Sequence, residues 1–236
     1  MIARREWLVG GLGMLGMAGL GLAGSSSAAP PVAEPEQTPE QRRLANRLEL
    51  WTAYAKRTDN LVARYTSERI SSLLQQPLVN SGQLAFVAPG TLVLRDDGAT
   101  GSITRIGPGV LEVRPNDPSL PQRRLLDEQG KATPALQWLA DRLLACFAPG
   151  DGSQLIADAR TEVPRGALPR LIILPRRGSA ARMVLRSVTL TLDPVGGAIQ
   201  RIVIAEADGG EFRLALVEPQ QNVEPEALAR VLDDPR

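Results

Sequence analysis

Three pairs of adjacent carboxylates are the residues of this chain whose types could perform general acid–base chemistry. They are Asp96-Asp97, Asp127-Glu128 and Asp233-Asp234, and each lies at an expected turn or at the C-terminus. Acidic residues are common at turns because their side chains bond to nearby backbone groups. The chain has no histidine, so imidazole bases, Ser-His-Asp triads and most zinc sites are excluded. We therefore expect these carboxylates to be solvated turn residues, and we predict no catalytic residue and no metal site.

The remaining reactive groups form no catalytic pattern either. Neither Lys56 nor Lys131 lies in a setting that would activate a serine. Cys146 is the single cysteine and can form no intramolecular disulfide, and we interpret it as a small buried residue. The pairs Arg123-Arg124 and Arg176-Arg177 could bind anions, but a formal net charge of +1 favours ordinary exposed faces and gives no footprint for nucleic acid. No glycine-rich loop opens a helix after a strand, so no cofactor is expected.

The composition of the chain suits one β-rich domain with an aliphatic core. Of its 236 residues, 43% are hydrophobic but only 3% are aromatic. A chain of this length can form one or two domains, and a single β-rich domain of this size is common. The core must therefore be built from leucine, isoleucine and valine.

The N-terminus has the features of an export signal. Arg4-Arg5 precedes the apolar, glycine-rich stretch 7–23, and Ser26-Ser27-Ala28 offers small residues before a cut. The segment 4–8 is similar to a twin-arginine (Tat) signal, with an ordinary secretory signal as the alternative. We predict an export signal at 1–28, a flexible linker at 29–38, one domain at 39–236, and a periplasmic location.

The elements that must position these residues are short strands and four helices. A helix is predicted from Pro39 to Lys56, with Thr38 and Gln41 forming a capping box. A second is predicted from Pro134 to Phe147, capped by Thr133. Shorter helices are expected over 154–159 and 224–232, and a short helical piece after Arg69. Alternating or continuous apolar runs bounded by glycine and proline predict strands at 61–69, 84–87, 92–94, 103–106, 110–113, 123–126, 171–174, 188–192, 202–204 and 212–216.

An ordered set of weak motifs resembles the LolA family of outer-membrane lipoprotein carriers. These motifs are the hairpin segment 81–90 around Pro89-Gly90, the 134–147 helix, and the 188–212 meander with Gly196 and Asp208-Gly209. The segment 69–78 before the hairpin is closest to the LolA-related branch, and the resemblance covers roughly residues 60–218. It implies an α+β fold: an open, unclosed antiparallel β-barrel with a helical lid.

The resemblance also implies what the protein does. The family holds lipoprotein acyl chains on a concave apolar face during periplasmic transit, between an inner-membrane donor and an outer-membrane acceptor, and we expect a monomer. Burying an acyl chain is favourable by about 0.8 kcal/mol per CH₂. The residues expected to line the cavity and lid are Leu84, Phe86, Leu92, Leu94, Leu111, Val113, Leu136, Leu139, Leu143, Phe147, Leu171, Ile173, Leu190, Leu192, Ile202, Ile204, Phe212 and Leu214.

One position departs from the family pattern. The main branch has a basic residue, usually arginine, just before the hairpin proline, where this chain has Ala88. The resemblance implies that the basic residue helps to hold the lid closed, so a lid opposite Ala88 should open at lower cost. Two alternatives to a carrier remain open: a lipid- or lipoprotein-sensing module on the same fold, and an enzyme of unknown type.

Overall fold

The computed structural model describes residues 37–126 and 133–232. The predicted signal (1–28), most of the predicted linker (29–38), Asp127-Glu128, Lys131 and Asp233-Asp234 lie outside these residues. The described helices are α1 (Pro39–Ala55), α2 (Pro134–Phe147), α3 (Ser153–Ile156), α4 (Ala180–Val184) and α5 (Pro225–Leu232). The described strands are β1 (Asn60–Ile70), β2 (Leu78–Val87), β3 (Thr91–Asp96), β4 (Ser102–Gly107), β5 (Val110–Pro115), β6 (Arg123–Leu126), β7 (Ala159–Glu162), β8 (Arg170–Pro175), β9 (Leu185–Leu192), β10 (Ile199–Glu206) and β11 (Glu211–Gln221).

The strands form one antiparallel sheet in the order β6-β5-β4-β3-β2-β1-β11-β10-β9-β8-β7. Neighbouring strands are consecutive in the sequence except at the centre of the sheet, where β1 pairs with β11. Strands β6 and β7 lie at opposite edges of this order, so within the described residues the sheet is not closed into a barrel. The open antiparallel α+β fold predicted from the sequence is confirmed.

One face of the sheet, called here the inner face, carries the core. Phe86 lies opposite Leu92 on β3, and Leu190 lies opposite both Leu171 and Ile202. All five side chains are buried, and they belong to one hydrophobic cluster with residues of α1 and α2. Side chains of a strand alternate between faces, so one aliphatic surface continues across both halves of the sheet.

Helices cover both faces. On the inner face, the rings of Phe86 and Phe147 pack with their centroids 6.0 Å apart, which joins β2 to α2. On the opposite face, Ala85 and Val93 are buried where α5 contacts β1, β2 and β3. Arg95 of β3 donates from Nη2 to the carbonyl oxygen of Val231 in α5 over 3.1 Å. The inner face is therefore the side that α1 and α2 cover.

The helix ends follow the local sequence. The Thr38 hydroxyl accepts from the Gln41 backbone N–H, and the Gln41 side chain accepts from the Thr38 N–H at 2.8 Å, which confirms the predicted capping box. The 134–147 helix has the predicted bounds, and the Thr133 side chain accepts from the Leu136 N–H. Both helices begin with proline, whose missing N–H has no partner to lose at that position.

Two local predictions are wrong, and two short elements were not predicted. The segment after Ile70 forms turns rather than a helical piece, and Leu73 is 92% exposed there, so a helix would have no apolar face to bury. The helix predicted over 154–159 ends at Ile156, because Ala159 begins the edge strand β7. Helix α4 and strand β7 have four or five residues each and were not predicted.

Candidate functional site

The predicted site residues fall into two groups on the inner face and α2. Twelve are buried in the packed core: Leu84, Phe86, Leu92, Leu111, Phe147, Leu171, Ile173, Leu190, Leu192, Ile202, Ile204 and Leu214. Six are half-buried: Leu94, Val113, Leu136, Leu139, Leu143 and Phe212. All but Val113 belong to the hydrophobic cluster or pack against it. The fold therefore brings these residues together, and the half-buried ones mark where the apolar interior approaches solvent.

Helix α2 is apolar around most of its circumference. Its buried positions include the small residues Ala135, Ala140 and Ala145, whereas Leu139 and Leu143 stay half-buried. Small buried residues let the helix lie close to its neighbours, while the larger leucines border the core without being enclosed by it. An apolar helix with incompletely enclosed leucines has contact area left for another apolar group.

Helix α2 contains a charged residue, Arg142, whose side chain is unexpectedly buried. Only 6% of the residue is exposed, and its guanidinium carbon lies 5.3 Å from the centroid of the Trp138 ring. Within the described residues, Arg142 Nε and Trp138 Nε1 have no hydrogen-bond partner. Burial lowers the pKa of Arg142, and the nearby carboxylates of Asp141 and Asp158 oppose that shift. Arg142 is not among the residues predicted from the sequence, although its spacing of four residues from Trp138 in an apolar helix signals such stacking.

The C-terminal end of α2 is tied to α1. Trp51 Nε1 donates to the backbone carbonyl oxygen of Cys146 over 3.0 Å, in a buried position. The Cys146 thiol is itself buried, and this burial raises its pKa to about 12. A thiol with such a pKa is not a nucleophile at neutral pH, so Cys146 serves packing, in line with its interpretation from the sequence.

A narrow cavity lies beside this junction, lined by Tyr54, Ala55, Thr58, Leu61, Cys146, Phe147, Ile199, Leu216 and Pro219. Its volume is about 10 Å³, which is close to the least that a single water molecule needs. Burial raises the pKa of the Tyr54 hydroxyl to about 12. An acyl chain could enter between the helices and the sheet here only if the helices moved.

Asp96 belongs to a hydrogen-bonded network at the rim of the sheet. Tyr65 on β1 donates its hydroxyl to Asp96 Oδ1 over 2.7 Å, and Ser102 donates its hydroxyl to Asp96 Oδ2 over 2.9 Å. The expectation of a solvated turn residue is wrong for Asp96, because β3 extends through it. Burial and the bond to Asp96 raise the pKa of Tyr65. The Tyr65 ring also packs so closely on Gly82 of β2 that a Cβ there would clash with it. The ring and its hydrogen bond to Asp96 therefore hold β1, β2 and β3 together at this point.

Among residues 37–126 and 133–232, no three histidine, cysteine, aspartate or glutamate residues are grouped so that they could hold a metal ion. Of the helices in the described part of the chain, none has both the length and the apolar character that crossing a membrane requires.

Several solved structures are similar to this chain. One is a LolA superfamily protein of Nitrosomonas europaea, with 12% identity, 78% of this chain and 95% of that chain covered, and a TM-score of 0.40. Another is an outer membrane lipoprotein-sorting protein domain of Vibrio parahaemolyticus, with 11% identity, coverage of 80% and 98%, and a TM-score of 0.39. A third is the Pseudomonas aeruginosa MucA/MucB complex, with 15% identity, coverage of 78% and 59%, and a TM-score of 0.41.

No protein-family model matches the sequence, and no curated protein matches it. The described fold is an open antiparallel sheet covered by helices, which is the architecture that the sequence resemblance implied.

Proposed function

We propose that this chain is a periplasmic, non-enzymatic carrier that binds the acyl chains of lipids or lipoproteins between the inner face and α2, and moves them toward the outer membrane. One observation carries the proposal: an aliphatic surface continues across the inner face beneath a helix that is itself apolar on most sides. Such a surface suits a flexible hydrocarbon chain, which has no polar group to satisfy.

Because α2 covers the inner face, its packing determines how an acyl chain would bind. Leu84, Leu190 and their neighbours are buried against the helices, so an acyl chain must take the place of α2 on part of the inner face. Each CH₂ that it buries contributes about 0.8 kcal/mol. The apolar contacts that α2 gives up are replaced by contacts with the acyl chain. Loading and release are then an exchange of one apolar surface for another, driven by a donor at the inner membrane and an acceptor at the outer membrane.

The half-buried leucines of α2 mark the point of entry. Leu136, Leu139 and Leu143 lie where the interior meets solvent. A hydrocarbon chain that approaches there gains apolar contact before the core opens. A lid that meets its cargo first at half-buried leucines lowers the cost of starting the exchange.

The test is mass spectrometry of lipids that co-purify with the protein from periplasm. We expect acyl-bearing lipids or lipoproteins in stoichiometric amounts, and an N-terminus at about Ala29 after removal of the signal. A fluorescent fatty-acid probe should also bind to delipidated protein and be displaced by the lipid that is found. Protein that carries no lipid and binds no probe would rule out the carrier function.

A further inference from the structure

One region of the chain is strongly basic. Residues 158–186 hold seven arginines against two carboxylates, a net charge of +5, whereas the whole chain has a formal net charge of +1. Four of these arginines line an open cleft of about 310 Å³ between β7, β8 and α4. We call this cleft, together with α4, the arginine surface: Ala159, Arg160, Leu174, Pro175, Arg176, Arg177 and the helix Ala180–Val184.

The carboxylates of this region only partly balance its charge. Asp158 Oδ1 lies 3.5 Å from Arg176 Nη1, and Glu162 pairs with Arg160. Both pairs are well exposed, so water screens them and they hold the arginines weakly. Arg177 and Arg186 are also exposed, which leaves the surface with an excess of positive charge facing solvent.

Two apolar side chains project from the same surface. Met183 is 81% exposed and Val184 is 54% exposed, whereas Ala181 and Leu185 of the same segment are buried and hold it to the core. A single exposed apolar residue is ordinary. Met183 and Val184 are adjacent, and they lie between Arg182 and Arg186 on a segment that Ala181 and Leu185 hold to the core. Exposed apolar residues flanked by arginines are typical of a surface that enters the headgroup region of a bilayer.

We propose that the arginine surface docks on an anionic lipid bilayer, with Met183 and Val184 inserted at the boundary between the headgroups and the acyl chains and the arginines bound to lipid phosphates. Charge complementarity selects this partner, because each basic residue near an anionic membrane surface contributes about 1 kcal/mol. The exposed apolar pair selects a bilayer over a free anion, since a soluble phosphate offers no place for Met183.

Docking of the arginine surface on a bilayer would also affect α2, the lid of the proposed carrier. Helix α4 packs against α2, and Asp158 lies close enough to Arg142 of α2 to act on its pKa while it pairs with Arg176. Bilayer phosphates that bind Arg176 would compete for its contact with Asp158. The surface that meets the membrane is therefore joined to the helix that must move, a consequence that rests on the proposed carrier function.

The test is vesicle flotation of the protein purified from periplasm, with vesicles of phosphatidylglycerol and phosphatidylcholine compared with vesicles of phosphatidylcholine alone. We expect binding to the anionic vesicles that weakens as salt is raised. The double variants Arg176→Glu/Arg177→Glu and Met183→Asp/Val184→Asp should each bind roughly thirtyfold more weakly. The matched controls Arg201→Glu and Val195→Asp change an exposed arginine and a valine that is 89% exposed elsewhere, and they should bind as wild type does.

A fatty-acid probe in vesicle-free solution separates this proposal from the carrier function. All four variants should bind the probe as wild type does, which also shows that they fold. Equal binding of wild type to neutral and anionic vesicles, or equal losses in the controls, would overturn the docking surface. A dimer in sedimentation velocity that Met183→Asp dissolves would also overturn it, by assigning the surface to a second copy. Vesicle binding by a protein that binds no probe would support docking and refute the carrier.

Discussion

The two helices on the inner face are held in different ways. Helix α1 is fixed by directional contacts: Trp51 donates to the Cys146 carbonyl, Gln221 Nε2 donates to the Tyr54 carbonyl over 3.0 Å, and the turn at Gly197 abuts the Leu50 carbonyl. Helix α2 is held mainly by apolar packing, and it shares only the first of these contacts, at its C-terminal end.

Under the proposed function, this difference makes α1 the fixed helix and α2 the lid. Apolar packing has no preferred direction. A helix held by it can therefore shift over an apolar surface at a free-energy cost set by the apolar area that it uncovers. A helix held by buried hydrogen bonds loses about 1–3 kcal/mol for each donor or acceptor left without a partner. The N-terminal turns of α2 are therefore the part that can move, pivoting near Cys146.

The largest effect is expected at Gly197, where α1 meets the sheet. Its φ is +77°, and a Cβ there would clash with the Leu50 backbone. Gly197→Ala should lower the free energy of unfolding in urea by roughly 3 kcal/mol, because the α1 contact must give way. Gly209→Ala is the control, with φ +93° and no atom within 4 Å, and should cost only about 1 kcal/mol. Equal losses would show that α1 is not fixed at this turn.

A charge on the lid should have the next largest effect. Leu143→Glu places a carboxylate against the apolar cluster, and we expect unfolding free energy to fall by about 2 kcal/mol and affinity for the fatty-acid probe to fall with it. Leu73→Glu makes the same change at a residue that is 92% exposed and should alter neither. Native stability and native probe affinity in Leu143→Glu would mean that this face of α2 does not border the cargo.

The tryptophans of α1 and α2, Trp51 and Trp138, test the difference between the helices directly. Trp51→Phe removes a buried hydrogen bond between α1 and α2 and should cost about 1.5 kcal/mol, with faster probe release. Trp138→Phe makes the same change on α2, where Nε1 has no partner within the described residues, so its cost should be clearly smaller. Urea unfolding and stopped-flow release measure both effects. A larger loss in Trp138→Phe would reverse the assignment of fixed helix and lid.

The smallest effect is expected at Ala88, which is half-buried against the core at the end of β2. Ala88→Arg should let a guanidinium bond to carbonyls of the lid. A charged hydrogen bond is worth about 1.5–3 kcal/mol, but ordering an arginine side chain offsets much of it. We expect probe release to slow by roughly fivefold, with Ala88→Met as a control for bulk alone. If Ala88→Arg and wild type release the probe at equal rates, Ala88 does not face the lid, and the alignment to the family is displaced there.

Local signals in the sequence were enough to place the long helices and most strands. Thr133, Pro134 and the apolar period set both ends of the 134–147 helix, and the run 123–126 gave β6 its bounds. Strand β7 could not be found, because Ala-Arg-Thr-Glu has no apolar alternation and is fixed only by pairing with β8. Helix α4 is a single capped turn, too short for any period to show.

The apolar inner face was predictable from the sequence, but its detailed packing was not. The alternation of apolar residues identified the inner face, since that pattern depends only on the strand repeat. The pairing of β1 with β11 depends on residues far apart in the chain, and no local pattern encodes it. On α2, Ala140 is fully buried and Leu139 is not. This difference depends on how closely the helix approaches its neighbours, and the volumes of the packed side chains set that distance.

The place where β1 meets β11 has a consequence for how the chain folds. The ladders on either side of it, β1 to β6 and β7 to β11, join strands that follow one another in sequence, so each half can assemble as a meander with short loops. Among the described strands, only the β1–β11 ladder joins residues that are far apart in the sequence, and the entropy lost when that long loop closes must be compensated in one late step. A break in the loop between α2 and α3 would leave both meanders whole, and two separate polypeptides could then meet along that single seam.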